Sequence, residues 1–204
     1  MRILCLNRRR QVCRAWLLFC AVAMMAACSS KPSFENLDLT GNTAFGQNFS
    51  VPDTDGKTRT MADFKGRLVV LVFGYTHCPD VCPTTLADLA QAMQQLGGDS
   101  SRVQVLFVTV DPERDNPALL AQYVHAFNPH FVGLVPQNEA QLKQITQDFR
   151  IYYAKARGAT PADYTVDHTA ASYVFDQQGQ LRLYVKDAQG AQPWLHDLKL
   201  LLQH

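Results

Sequence analysis

The sequence predicts an α/β domain, a central sheet covered by helices on both faces and preceded by a β-hairpin. Three observations predict it. The continuous apolar run LVVLVFGY (68–75) and the Val-rich stretch VQVLFVTVD (103–111) read as strands buried on both sides. Each is followed by a segment of helical period with one apolar face. The resulting alternation of β and α requires helices above and below the sheet. At 204 residues, 47% hydrophobic and 18% charged, the chain suits one folded domain plus a tail.

The elements follow in order. Residues 1–27 hold five arginines and no acid, and end in the 13-residue apolar run AWLLFCAVAMMAA. That is a signal peptide, since a bilayer span needs about 20 residues. The exit MAACSS resembles a bacterial lipobox, with Met24 where leucine is usual and Cys28 as the residue to be lipidated. Residues 28–45, polar and rich in Gly, Ser and Asn, read as a tether, and 46–204 as the folded domain. NFSVPDTDGKTRT carries a D-G turn between two short runs, a hairpin signal. After the strand at 68–75, TTLADLAQAMQQL (84–96) is an amphipathic helix stopped by Gly97-Gly98. Beyond the second buried strand, Asn116-Pro117 caps a helix running to Phe127. FVGLVP (131–136) is strand-like and NEAQLKQITQDF (138–149) a capped helix. AASYVFDQQGQLRLYVKD (170–187) reads as two strands about a turn, and 192–203 as a closing helix.

Charge and cysteine usage narrow the function. The whole chain is +1, but with five of its 19 basic residues in the leader the remainder carries 14 against 18 acids, a net of −4. No basic patch survives there, which argues against nucleic acid as a partner. Cysteines 5, 13 and 20 leave with the leader and Cys28 would carry lipid, so Cys78 and Cys82 are the remaining thiols. They lie in GYTHCPDVCP (74–83), between the first buried strand and its helix, at the strand end where chemistry gathers in such sheets. Pro83 suits a first helical turn, so Cys82 stands at or near the N-cap, where the helix dipole favours a thiolate. The spacing fits a disulfide, a catalytic pair or two sulfurs on one ion, and does not choose among them.

A metal reading needs a further donor. Of histidines 77, 125, 130, 168, 196 and 204, His77 is a neighbour of Cys78 whose side chain diverges from it on an extended loop. His168, in TVDHTA just before an apolar strand, is placed to reach the top of the sheet. Asp80, between the cysteines, is a candidate tuning group, against the simpler role of an acid at a helix start. Asp167 is a candidate acceptor orienting His168. Asp111 and Asp115 flank a turn and are expected to bond backbone N–H groups.

GYTHCPDVCPTTL, VTVDPERDNP and VDHTAASYVFD, in this order, resemble the Sco/SenC family of copper proteins of respiratory oxidase assembly. The likeness spans roughly residues 45–203. It implies a thioredoxin-like fold with a mixed sheet, and one copper per chain, Cu(I) or Cu(II), held by Cys78, Cys82 and His168. It further implies delivery of copper to the binuclear centre of cytochrome c oxidase subunit II, with an upstream copper donor chaperone. The alternative is a thiol–disulfide oxidoreductase that reduces the cysteines of that subunit, which makes enzymatic activity an open question. C-x-x-x-C in place of C-x-x-C, and His168-Thr169 where a redox fold carries proline, favour metal. A peroxidase reading lacks an arginine close to either cysteine in sequence. The expected location is a membrane-anchored lipoprotein facing the periplasm. Ser29 resembles an outer-membrane sorting signal, whereas the expected client lies in the inner membrane.

Overall fold

The computed structural model describes residues 33–156, 158 and 163–203; the leader and Cys28 lie outside the described residues. The strands are β1 (Leu37–Asp38), β2 (Ser50–Pro52), β3 (Thr58–Thr60), β4 (Leu68–Gly74), β5 (Val103–Thr109), β6 (Val132–Leu134), β7 (Tyr153–Ala156), β8 (Thr165–His168), β9 (Ala171–Phe175) and β10 (Leu181–Lys186). The helices are α1 (Val81–Leu96), α2 (Pro117–Phe127), α3 (Glu139–Asp148) and α4 (Ala191–Leu202). Six strands form one sheet in the order β1-β10-β9-β4-β5-β6. β4, β5 and β6 run parallel, while β9, β10 and β1 are added antiparallel, so the sheet is mixed as expected.

Local chemistry accounts for the elements. Every residue of β4 and β5 is buried, so β4 is apolar throughout and β5 is apolar apart from Gln104 and Thr109. Asn116 caps α2 by accepting from Leu119 N–H at 3.0 Å, and Asn138 caps α3 by accepting from Gln141 N–H at 2.9 Å. Gly97, at φ 59°, ends α1 in a conformation that costs other residues steric strain. The expected hairpin is β2–β3, and its buried Asp53 holds the turn through Asp55 N–H, Lys57 N–H and Arg59 Nε. α1 packs against α4. In the core, the Phe149 ring packs at a tilt against Phe73 at 5.4 Å and edge-to-face against Tyr173 at 5.3 Å.

Two segments differ from the sequence reading. Residues 35–38, read as tether, are bonded to the domain: Asp197 accepts from Glu35 and Asn36 N–H at 2.9 and 3.0 Å, and β1 pairs with β10. A two-residue edge strand has no period to reveal it. The second is β7–β8, a separate two-stranded sheet in register Tyr153↔His168, where the sequence reading placed no strand. His168 is therefore the last residue of a hairpin arm, not a loop residue ahead of β9.

The parallel pairing sets the site. Gly74 is level with Thr109, and Val110 N–H donates to Gly74 C=O at 2.8 Å. The loops leaving β4 (75–80) and β5 (110–116) thus emerge side by side at the carboxyl ends of the central strands.

Candidate metal centre

Cys82 sits in the first turn of α1, one residue beyond Val81, with Asp80 as N-cap. Its side chain is 2% exposed and rests on the end of β4. That approach requires glycine at 74, because a Cβ there would stand 2.7 Å from Cys82 Sγ. Cys78 is half-buried in the preceding turn, where its N–H donates to Tyr75 C=O at 3.2 Å. Both cysteines are free thiols.

The two sulfurs are electrostatically unequal. The Cys82 thiol donates toward Cys78, which, with the N–H groups of Asp80 and Cys82, lowers the Cys78 pKa to about 5 against the opposing effect of burial. That same hydrogen bond, together with burial and the Cys78 charge, pushes Cys82 up. The pair shares one proton, held on the inner sulfur, and the outer sulfur is the thiolate.

His168 completes the arrangement. Its Nδ1 lies 3.2 Å from Val166 C=O, so the N–H belongs on Nδ1 and the Nε2 lone pair is free. Nε2 stands 3.6 Å from Cys82 Sγ. Metal–sulfur and metal–nitrogen bonds of about 2.3 and 2.0 Å, at trigonal to tetrahedral angles, leave roughly 3.5–3.7 Å between the donors. Cys82 and His168 are therefore already spaced to share an ion. Among the described residues no trio of His, Cys, Asp or Glu is gathered closely enough to hold an ion as it stands. The Tyr75 ring meets the imidazole edge-on at 5.7 Å and walls the site. Two soft sulfurs and one imidazole fit copper.

Other expected residues are placed differently. Asp167 is exposed, and the orienting acceptor on His168 is the Val166 carbonyl, because alternate residues of β8 face opposite ways. Asp80 is exposed and its side chain makes no cap bond; its backbone C=O accepts from Thr84 Oγ1 at 2.8 Å. His77 turns from the sulfurs to Thr76 Oγ1 at 3.0 Å and Asp115 at 3.7 Å. Asp115 is fully buried and accepts from Thr76 N–H, Thr76 Oγ1 and Thr109 Oγ1 at 2.6–2.9 Å, tying the cysteine loop to β5. Asp111 bonds Arg114 and the Tyr164 hydroxyl, side chains rather than the expected backbone. Arg114, distant from the cysteines in sequence, comes within 5.8 Å of the Tyr75 ring, with Nε committed to Asp111. Asp187 was not anticipated. It is buried at the end of β10, accepts from Ser172 Oγ at 2.6 Å, and is pushed up to about 7 by burial and by the nearby Cys78 charge.

The profile of the SCO1/SenC family matches residues 37–203. The chain belongs to the SCO1/SenC family. A SCO2 homologue of mitochondria from Bos taurus is 42% identical over 152 residues, covering 73% of this chain and 57% of that protein. This SCO1/SenC chain thus spans little more than half the length of that relative. A copper-bound ScoI structure from Bradyrhizobium japonicum is similar at 36% identity and TM-score 0.68, covering 78% of this chain and 99% of the other. The apo Sco1 solution structure from Thermus thermophilus is similar at 35% identity and TM-score 0.74, covering 85% and 99%.

Proposed function

We propose that this domain carries one copper ion on Cys78, Cys82 and His168 and delivers it to the binuclear copper centre of cytochrome c oxidase subunit II. The supporting observation is the imidazole Nε2 aimed at Cys82 Sγ at 3.6 Å with its other nitrogen tied to a backbone carbonyl. The copper-bound relatives support the choice of ion. Copper is cargo here, received from an upstream donor chaperone. The Cys78 thiolate offers the first sulfur, Cys82 releases the shared proton as it coordinates, and His168 supplies the nitrogen. Three donors leave room for an incoming ligand of the client, so the ion passes by exchange without being freed.

The thiolate–thiol asymmetry supports a second reading, reduction of the client's disulfide by Cys78 attack and Cys82 resolution. His168→Ala separates them. Delivery requires that the variant lose oxidase copper content in cells without added copper; full oxidase copper in that strain would leave the reductase reading. We further propose that Cys28 is lipidated and holds the domain at a membrane facing the periplasm.

A further inference from the structure

His168 rides on an arm outside the main sheet, so something must fix where the imidazole stands. The loop after β5 supplies the contacts. Arg114 Nε donates to Asp111 at 2.5 Å and Nη1 donates to Tyr164 C=O at 2.8 Å. The Tyr164 hydroxyl returns to the other Asp111 oxygen at 2.7 Å. The guanidinium carbon sits over the Tyr164 ring, just before β8, 3.6 Å from its centre, and over the Tyr75 ring at 5.8 Å. Tyr75 is the ring that walls His168. Lys155 of β7 closes the outside, 4.8 Å from the Tyr164 ring and bonded to Glu113 at 2.6 Å. Meanwhile Asp115 of the same loop grips Thr76, next to the cysteines. One five-residue stretch, 111–115, thus holds both segments that carry the donors.

Resting on the ligand set proposed above, we infer that Arg114 is a positioning residue: clamped between Tyr164 and Tyr75, it fixes the distance from the His168 imidazole to the two sulfurs. A guanidinium is required, because a planar fork can serve Asp111, a carbonyl and a ring face together, and an ammonium cannot. Asp111 is buried, so a neutral residue at 114 would strand its charge; lysine keeps the charge and gives up the fork and its contact with the Tyr164 ring face.

The full chain carrying Arg114→Lys, Tyr164→Leu, His168→Ala, or Arg114→Lys with His168→Ala tests this. Loaded with Cu(II), the first two should show the nitrogen hyperfine signal and thiolate charge-transfer band moving toward those of His168→Ala. Cu(I) affinity, carried by the sulfurs, should stay within about threefold. The double variant should match His168→Ala. Without metal, amide exchange at 165–168 should quicken about tenfold in Arg114→Lys, the size of one lost cation–π contact, while β4 stays protected. Wild-type spectra and exchange in Arg114→Lys and Tyr164→Leu would overturn the clamp, as would loss of Cu(I) binding in step with Cu(II), which marks general damage. An unchanged Cu(II) spectrum in His168→Ala would instead remove the ligand assignment, and with it what the clamp is there to position.

Discussion

Gly74→Ala tests how closely the site is built onto the sheet. The new Cβ would meet Cys82 Sγ at 2.7 Å and Phe107 Cζ at 2.7 Å. Ordinary contacts between such atoms lie at about 3.5–4.0 Å, so each neighbour must retreat by roughly 1 Å. The backbone offers no objection, since Gly74 is not among the positive-φ glycines. Phe107 cannot give easily: it is fully buried and packs on Tyr123 at 5.7 Å. Cys82 is a short side chain fixed in the first turn of α1, so moving its sulfur means moving the helix start. Overpacking of this kind costs about 1–3 kcal/mol. At about 2–4 °C per kcal/mol for a domain of this size, Tm should fall by roughly 2–12 °C. The same shift breaks the 3.6 Å spacing of Cys82 and His168, so copper affinity should fall as well. Thermal unfolding of metal-free protein and Cu(I) competition with a chelator measure the two effects. In a Cys82→Ala background one of the two collisions is gone, and Gly74→Ala should cost less. Equal costs in both backgrounds, or unaltered Tm and affinity, would refute the close-approach argument.

Cys78 should alkylate as a thiolate down to about pH 5 in metal-free protein, while Cys82 stays inert; a rate that falls away below pH 8 would contradict the assigned proton. Asp187 has its native pKa raised to about 7, above its ordinary value, so native protein binds that proton more tightly than unfolded protein. Stability from this group is therefore complete below about pH 4 and lost as pH climbs through 7, by at most about 4 kcal/mol. Asp187→Asn, which keeps an acceptor for Ser172, should lose this dependence and be the more stable chain at pH 8; denaturant midpoints running parallel from pH 4 to 8 would count against it. Cys28→Ser should abolish partition into detergent, and mass spectrometry of an unmodified mature N-terminus in the native chain would rule out the anchor.

What could be read in the sequence was whatever leaves a local pattern. β4 announced itself by a continuous apolar run and β5 by a Val-rich one, and Asn116 and Asn138 by their place before helical periods. β7–β8 did not, because YAKA and TVDH are four residues each with no sustained alternation. The cysteines were visible as a pair, and His168 by its place beside β9 and by family likeness. The groups that hold them were not visible. Asp115 reaches Thr76 across 39 residues, and Arg114 reaches the Tyr164 carbonyl across 50. No periodicity records such long-range polar contacts. Asp167 misled for a local reason: adjacency in a strand sends it to the opposite face from His168.

The unequal burial of the two cysteines gives the site a single doorway. Cys82, 2% exposed behind Gly74, is sealed from any visiting protein, whereas the Cys78 sulfur stands at the threshold. If the domain delivers copper as proposed, a client ligand arriving at the loaded site would displace Cys78 first, and the inner sulfur would be the last protein thiolate to let go. On the reductase reading, a visiting disulfide would likewise be opened by Cys78, and the mixed disulfide resolved from behind by Cys82. Delivery and reduction would thus follow the same order of events at the same sulfur. A partner docked for one would already be oriented for the other.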